Sequence, residues 1–319
     1  MFRHLFRFFS PSGTRGRLSI FIFHRVLPEP DFLLPFEPDA VAFERVADFI
    51  ARNFNVLSLT EAAARVSAGT LPAAAACVTF DDGYKDNFTI ALPLLQKHGV
   101  TATFFIATGY LDGGRMWNDT VTEAARIFTG AEWDLTEFSL GSYPMNDKAE
   151  RKAAVNQLIT TLKYRSDSER DAVSCAIADR TGLANTSDLM MTSDQVRGLA
   201  HAGMAIGGHT VSHPILANLD SQHVFDEIRQ GKLHLENITG AEVRVFAYPN
   251  GIPGRDYTRR DVEIVRDMGF ECAVTTAWGV ARSRSDVFQM PRFTPWDRTT
   301  LRFGARIVEN LRRDSPSSV

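Results

Sequence analysis

The chain predicts an α/β fold: parallel strands joined by crossover helices and closed, or nearly closed, into a barrel. Three observations lead there. Strand-like and helix-like stretches alternate along most of the 319 residues. The run at 74–80 is apolar on both faces, as a central parallel strand is. Polar groups also fall straight after four strand-like runs, at His24, Asp81-Asp82, His209 and Pro249-Asn250-Gly251. A barrel collects functional groups at those carboxyl ends.

Residues 18–23 read as the first strand. Residues 43–54 carry helical spacing, with Val46, Phe49 and Ile50 on one side. A short second strand follows at 55–59, and Thr60 with Glu61 opens an alanine-rich helix. The third strand is 74–80. The helix at 88–98 is stopped by Gly99 and carries Pro93, an expected kink. Residues 101–107 make the fourth strand.

The rhythm breaks over 112–192. Residues 117–128 look helical, and 133–143 suit a small β-hairpin, with Gly141-Ser142 after alternating residues. Residues 148–165 and 168–181 suit polar-faced helices. This stretch reads as an insertion on one rim rather than a second domain, with a separate small helical domain as the alternative. The rhythm then returns. Thr192-Ser193-Asp194-Gln195 caps a helix ended by Gly203, and a strand at 204–208 leads into the histidines. An amphipathic helix at 221–239 aligns Val224, Ile228, Leu235 and Ile238. A strand at 243–248, a helix at 261–268, strands at 272–276 and 288–290, a basic helix at 299–313 and a loose tail complete the chain. The organisation is a basic, aromatic segment at 1–17, one domain over 18–298, and a terminal helix with tail at 299–319.

The 44% hydrophobic content supports a full-size core. A net charge of -3 carries no polyanion-binding signature and argues against nucleic acid as a partner. Cys77, Cys175 and Cys272 are scattered, with no CxxC pair, so buried free thiols in a reducing compartment are expected. The opening Met1-Phe2-Arg3-His4-Leu5-Phe6-Arg7-Phe8-Phe9 is interrupted by Arg3 and Arg7, unlike an export signal. No run approaches the roughly 20 apolar residues of a membrane span. The expectation is a cytoplasmic protein whose N-terminal residues are packed or disordered. The lesser reading is a weak interfacial foot, with Phe at the bilayer boundary and Arg on headgroups.

Two stretches carry the chemistry: Cys77-Val78-Thr79-Phe80-Asp81-Asp82-Gly83 and Gly207-Gly208-His209-Thr210-Val211-Ser212-His213-Pro214. Asp82, His209 and His213 are the expected metal ligands, because two imidazoles and one carboxylate leave a position open for water. A metal there acidifies that water, and Asp81 is the expected base. Asp-Asp-Gly alone is more often a turn, and His-x-x-x-His alone a helix surface pair. Gly207-Gly208 before the histidines and Pro214 after them argue for a shaped loop instead. Zinc suits the donor set, with cobalt, nickel or iron also compatible.

Thr79-Phe80-Asp81-Asp82-Gly83 and His209-Thr210-Val211-Ser212-His213 resemble the first two motifs of the polysaccharide deacetylase family (the NodB-homology domain, carbohydrate esterase family 4). The resemblance spans about residues 18–293. It implies a distorted (β/α)7 barrel, a divalent metal, and removal of N-acetyl groups from an N-acetylated amino-sugar saccharide. Phe246-Ala247-Tyr248-Pro249-Asn250-Gly251 resembles the third motif, with Ala247 where an Arg that orients the base is common. The oxyanion-stabilising N–H then maps to Asn250.

No His follows His234, so the usual general acid is missing. Phe23-His24-Arg25-Val26 resembles the first-strand motif of the branch acting on poly-N-acetylglucosamine exopolysaccharides, which implies His24 as acid; a hydrogen-bonded core histidine is the alternative. Arg25 and Arg292 are the candidates to replace the missing Arg, and Arg292 also a saccharide contact. Tyr248, Pro249 and Trp117 are further candidate saccharide contacts, with Trp278 and Trp296 at the same mouth. The rival functions are hydrolysis of a non-sugar amide on the same fold, and a catalytically silent saccharide-binding protein.

Overall fold

In the computed structural model, which describes residues 2–184, 187–295, 297, 299–313 and 318–319, two compact units form. The larger comprises the chain up to Glu29, Glu37–Asp112 and the chain from Met191 on. After helix α1 (Phe2–Phe9) its elements are β1 (Leu18–Phe23), α2 (Ala40–Asn53), β2 (Asn55–Val56), α3 (Leu59–Ala68), β3 (Ala75–Phe80), α4 (Leu92–Lys97) and β4 (Thr103–Ile106).

The smaller unit holds Pro30–Phe36 and Gly113–Met190. Its elements are α5 (Trp117–Ile127), β5 (Glu132–Asp134), β6 (Ser142–Pro144), α6 (Lys148–Leu162) and α7 (Asp167–Thr181). The larger unit resumes with α8 (Ser193–His201), β7 (Ala205–Gly208), α9 (Ser221–Thr239), β8 (Val245–Ala247), α10 (Arg259–Asp267), β9 (Cys272–Trp278), β10 (Met290–Arg292) and α11 (Thr300–Arg312).

Seven parallel strands run in the order β1-β3-β4-β7-β8-β9-β10. β3 is six residues long and wholly buried. β1 pairs with its full length, while β2 and β4 share its other edge. The circle closes next to β10, where the Phe293 N–H donates to Ile20 (2.7 Å) and the Ile22 N–H to Phe293 (3.1 Å). The sheet is thus the expected distorted seven-stranded barrel, with β2 as a two-residue addition. That register sets the carboxyl ends of β1, β3, β7, β8 and β10 around one rim.

Local sequence accounts for the elements. Asp39, Ser58, Thr192, Asp220 and Thr299 each cap the helix that follows with a side-chain oxygen on a backbone N–H. Pro93 does not kink a continuous helix. The chain makes a π-turn over Asn87–Ala91 and only then α4, whose first turn accommodates the missing N–H of Pro93.

The 112–192 segment behaves as more than a rim insertion. It has its own core, in which Trp133, Leu135, Leu158, Leu162 and Ile177 are buried, and it draws in Leu33 from the distant 30–36 stretch. The predicted hairpin is present as β5 paired antiparallel with β6. Cys77 and Cys272 are buried, but Cys175 lies on the outer face of α7 and is exposed. In the tail, residues 314–317 lie outside the described residues. Val319 is not loose: its N–H donates to Gln289 at 2.9 Å.

Candidate active site

Asp81 and Asp82 follow β3 directly. The Asp81 N–H donates to Phe23 at the end of β1 (2.9 Å), which brings His24 alongside the two carboxylates. Asp81 is 2% exposed and takes both ends of the Arg292 guanidinium, Nη1 to Oδ1 and Nη2 to Oδ2, each at 2.7 Å. Arg292 is itself buried. It also donates to the Thr275 carbonyl (2.9 Å) and the Thr79 hydroxyl (3.3 Å). A two-pronged guanidinium–carboxylate pair fixes orientation as well as charge. Burial pushes the Asp81 carboxyl up, but the Arg292 charge, the nearby imidazoles and the Arg292 hydrogen bonds outweigh it and hold it below the usual carboxylate range.

Where Ala247 offers no cation, the guanidinium that meets Asp81 comes from β10. This corrects two expectations. Arg292 is not a saccharide contact, because it is 1% exposed and its guanidinium is engaged by Asp81, Thr275 and Thr79 inside the protein. Arg25 is not the replacement, because its Nε pairs with Asp86 at 2.9 Å. Asp86 also accepts from the Val26 N–H (3.0 Å) and Asn87 Nδ2 (3.1 Å), while Asn87 donates to the His24 carbonyl (2.8 Å). The loop that carries His24 is thus tied to the turn after Asp82. The half-buried His24 lies within electrostatic reach of Asp81, Asp82 and His213.

The histidine loop follows β7. Gly207 is required there because a Cβ would stand 2.5 Å from Cε1 at the edge of the Phe105 ring. His209 is 1% exposed, and its Nδ1 donates to the Ala247 carbonyl at 2.7 Å, which leaves the Nε2 lone pair facing Asp82. Glu227 on α9 accepts from the N–H groups of Val211 and Ser212 at 2.9 Å each and from the Ser212 hydroxyl at 2.8 Å. Gly231, one turn on, lets α9 approach: a Cβ there would stand 2.9 Å from the Thr210 carbonyl oxygen.

Asp82, His209 and His213 converge, with ligand atoms all within 4.8 Å of one another. Asp82 Oδ1 is 3.5 Å from Nε2 of each histidine, too long for a hydrogen bond, and it is buried with no hydrogen-bond partner. That spacing matches donors arranged about a common ion: ligand bonds of roughly 2.0–2.2 Å in a tetrahedron set donors about 3.4 Å apart. Burial pushes the His213 imidazole down to about 3, so it is neutral and able to ligate. The Asp82 carboxyl is held below its usual range, its burial outweighed by the two imidazoles and His24. The donor set fits a divalent transition metal.

Backbone strain gathers at this site. Asp82 (φ 76°), Thr210 (66°), His213 (56°) and Asn250 (60°) all lie in the left-handed region. Asn250 is half-buried, and its N–H meets no acceptor among the described residues, as an oxyanion donor requires. The Asn250 carbonyl is fixed by the Thr276 hydroxyl (2.5 Å).

Tyr248 is not a stacking face. It is 0% exposed, lies 4.0 Å from the Tyr257 ring in a parallel stack, and donates its hydroxyl to the Phe288 carbonyl (3.0 Å). Pro249 is buried beside it. Trp278 packs under Arg306 of α11, 5.0 Å from the guanidinium carbon, and Trp296 lies outside the described residues. Trp117 opens α5 in the smaller unit, with the Arg170 guanidinium 5.2 Å over its ring. The sequence does not single out Glu227, Asp86, Asn87 or Gly231. Only the four-residue offset of Asp86 from Asp82 is a local signal.

A family model for polysaccharide deacetylases matches residues 68–273. The stretch runs from the end of α3 to the start of β9 and includes both motifs. The chain belongs to the polysaccharide deacetylase family. YxkH of Bacillus subtilis strain 168, provisionally described as a polysaccharide deacetylase, is 20% identical over 215 residues, 67% of this chain and 49% of that protein. The chain thus spans about half the length of that curated relative.

Among solved structures, IcaB from Ammonifex degensii superposes with a TM-score of 0.61 at 19% identity, covering 95% of this chain and 99% of that one. The Streptococcus pyogenes deacetylase PplD, in complex with acetate, gives 0.58 at 18% identity, covering 87% and 92%. The BpsB deacetylase domain from Bordetella bronchiseptica gives 0.53 at 16% identity, covering 87% and 95%. These likenesses establish the shared fold.

Proposed function

We propose that the protein is a metal-dependent hydrolase that removes N-acetyl groups from an N-acetylglucosamine-containing polysaccharide or oligosaccharide. The observation that carries the reading is the convergence of Asp82, His209 and His213 beside a buried carboxylate, Asp81, held at both oxygens by Arg292. A divalent metal on Asp82, His209 and His213, zinc by donor type and cobalt, nickel or iron by compatibility, supplies Lewis acidity toward the acetyl carbonyl.

The chain's own groups do the rest. Asp81, ionised because Arg292 pairs with it, takes the proton of the attacking water. The two-pronged pair keeps its carboxylate from rotating. The Asn250 N–H donates to the oxygen on which negative charge develops. His24 hands a proton to the departing amine, and the Arg25–Asp86 pair keeps its loop in place. The products are acetate and a free amino sugar.

The branch assignment, to enzymes of exopolysaccharide, rests on Phe23-His24-Arg25-Val26 and on the absence of a histidine after His234. The rival reading, a non-sugar amide, draws on the missing motif-three Arg, and the Arg292–Asp81 pair speaks against that argument.

Acetate release from N-acetylglucosamine oligomers tests the proposal. Metal-stripped protein is expected to be silent and to recover with zinc or cobalt. Asp81→Asn is expected to bind metal yet lose at least about 100-fold in rate. Metal binding without any acetate release by the wild type would end the proposal.

A further inference from the structure

The larger unit carries a second chemical feature, apart from the metal cluster. Helix α1 buries Phe6 completely, and the Phe6 ring stacks on Phe54 at 4.8 Å. Phe2 packs edge-on to Phe49 (5.5 Å) and lies over Gly304 of α11, where no Cβ would fit. One face of α1 is therefore anchored on α2 and α11. The other face presents Arg3, His4, Leu5, Arg7 and Phe8 outward, and Phe8 is 78% exposed. The adjoining outer face of α11 adds Leu301 (64% exposed), Arg302 and Arg312.

The surface continues past α1. Ser10 is bonded to both the carbonyl and the N–H of Arg17 (2.8 and 3.0 Å). There a cavity of about 550 Å³ is lined by Arg15, Arg17, Arg282 and Arg284, with Asp286 as its acid. Asp286 is occupied by Gln289 Nε2 (3.0 Å) and the Phe288 N–H (3.0 Å). Arg282 donates to the Arg313 carbonyl, which ties the cavity to the end of α11.

The charge on this surface is one-sided. No acidic residue precedes Glu29, although the whole chain carries a net -3. Among the described residues Arg3, Arg7, Arg15, Arg284, Arg302 and Arg312 have no carboxylate partner, while Glu309 is taken up by Arg313 (2.6 Å). A large exposed aromatic ring flanked by arginines, on a helix whose opposite face is anchored, has the composition of an interfacial contact.

We propose that the outer faces of α1 and α11, with the adjoining arginine-lined cavity, form a docking surface for a bilayer containing anionic lipid. Phe8 enters the boundary between headgroups and acyl chains, Leu5 and Leu301 add exposed apolar surface, and Arg3, Arg7, Arg15, Arg284, Arg302 and Arg312 meet lipid phosphates. The charge complementarity selects an anionic surface, and Phe8 selects a bilayer over a soluble polyanion. This surface does not depend on the reaction proposed above.

Vesicle flotation of the full chain tests it, with phosphatidylcholine alone and with phosphatidylcholine plus phosphatidylglycerol. The wild type should float only with the anionic vesicles. It should be released as salt rises from about 0.1 M to about 1 M, where the screening length drops from about 10 Å to about 3 Å. Each arginine near the surface accounts for about fivefold in partitioning. Arg3→Glu/Arg7→Glu should therefore weaken it about 25-fold or more, and Phe8→Ser several-fold.

All these side chains are exposed, so circular dichroism and release of acetate from soluble oligomers should not change. Equal flotation with neutral vesicles, no flotation with anionic ones, or undiminished flotation of the double variant would overturn the proposal. So would capture of single-stranded DNA by a protein that ignores the anionic vesicles.

Discussion

The two halves of the candidate metal site are held by different physics. On the β1 and β3 side, where Asp82 alone is left-handed, charge does most of the holding: Asp81 is gripped by Arg292 and Asp86 by Arg25, each carboxylate at most 7% exposed in its side chain. On the β7 and β8 side, backbone does it: Thr210, His213 and Asn250 adopt left-handed φ, Glu227 collects N–H groups, and glycines clear the approach. A buried charge pair fails when one member is removed, because the other is stranded. A shaped loop fails when something pushes on it. The same cluster should therefore break in two distinguishable ways.

The largest effect is expected on the charge-held side. Arg292→Met leaves Asp81 buried without its cation and should cost about 3–5 kcal/mol of stability, read from urea unfolding. Metal content should survive wherever the protein remains folded, since Asp82, His209 and His213 are untouched.

On the loop side, Gly231→Ala puts a methyl 2.9 Å from the Thr210 oxygen and displaces the loop from α9. Metal affinity should fall about 10- to 100-fold in competition with a chelator, with little change in unfolding. Were Gly231→Ala to unfold the protein while sparing affinity, the contrast between the halves would be wrong.

Asp86→Asn keeps the shape but removes the charge opposite Arg25. A smaller loss of about 1–3 kcal/mol is expected, together with slower turnover through His24.

The smallest effect is a matter of protons. Burial pushes His209 down, but the Asp82 and Asp81 carboxylates and the Ala247 carbonyl outweigh it and hold the imidazole above its ordinary value. Near and below neutral pH the metal must displace that proton, so affinity should weaken as pH falls. Calorimetry in buffers of different ionisation enthalpy should register the released proton.

The same contrast explains what is legible in the sequence. The histidine loop is local: Gly207-Gly208 and Pro214 frame it, and those residues by themselves specify a shaped turn. The carboxylates are legible as Asp81-Asp82-Gly83 after an apolar run, but their support is not. Arg292 lies 211 residues from Asp81, on a three-residue strand, and only barrel closure brings the two together.

Barrel and helices are readable because burial and capping repeat at strand and helix periods. The smaller unit reads as an insertion because nothing in 30–36 signals that Leu33 completes its core. Tyr248 reads as a sugar platform because it is an aromatic beside a catalytic motif; its stacking on Tyr257 depends on a loop fold the sequence does not display.

The central claim is that β10 supplies the guanidinium that orients and ionises the base. It is tested most directly by the pH dependence of acetate release in wild type, Arg292→Lys and Arg292→Met. As the proposed base Asp81 would act in its ionised form, and the Arg292 charge heads the influences that lower its carboxyl. Removing that charge should raise the carboxyl and move the acid limb of the profile to higher pH. The shift should be largest for Arg292→Met and smaller for Arg292→Lys, which keeps the charge but loses the second prong. An acid limb that stays where the wild type has it, in a folded and metal-loaded Arg292→Met protein, would contradict the account.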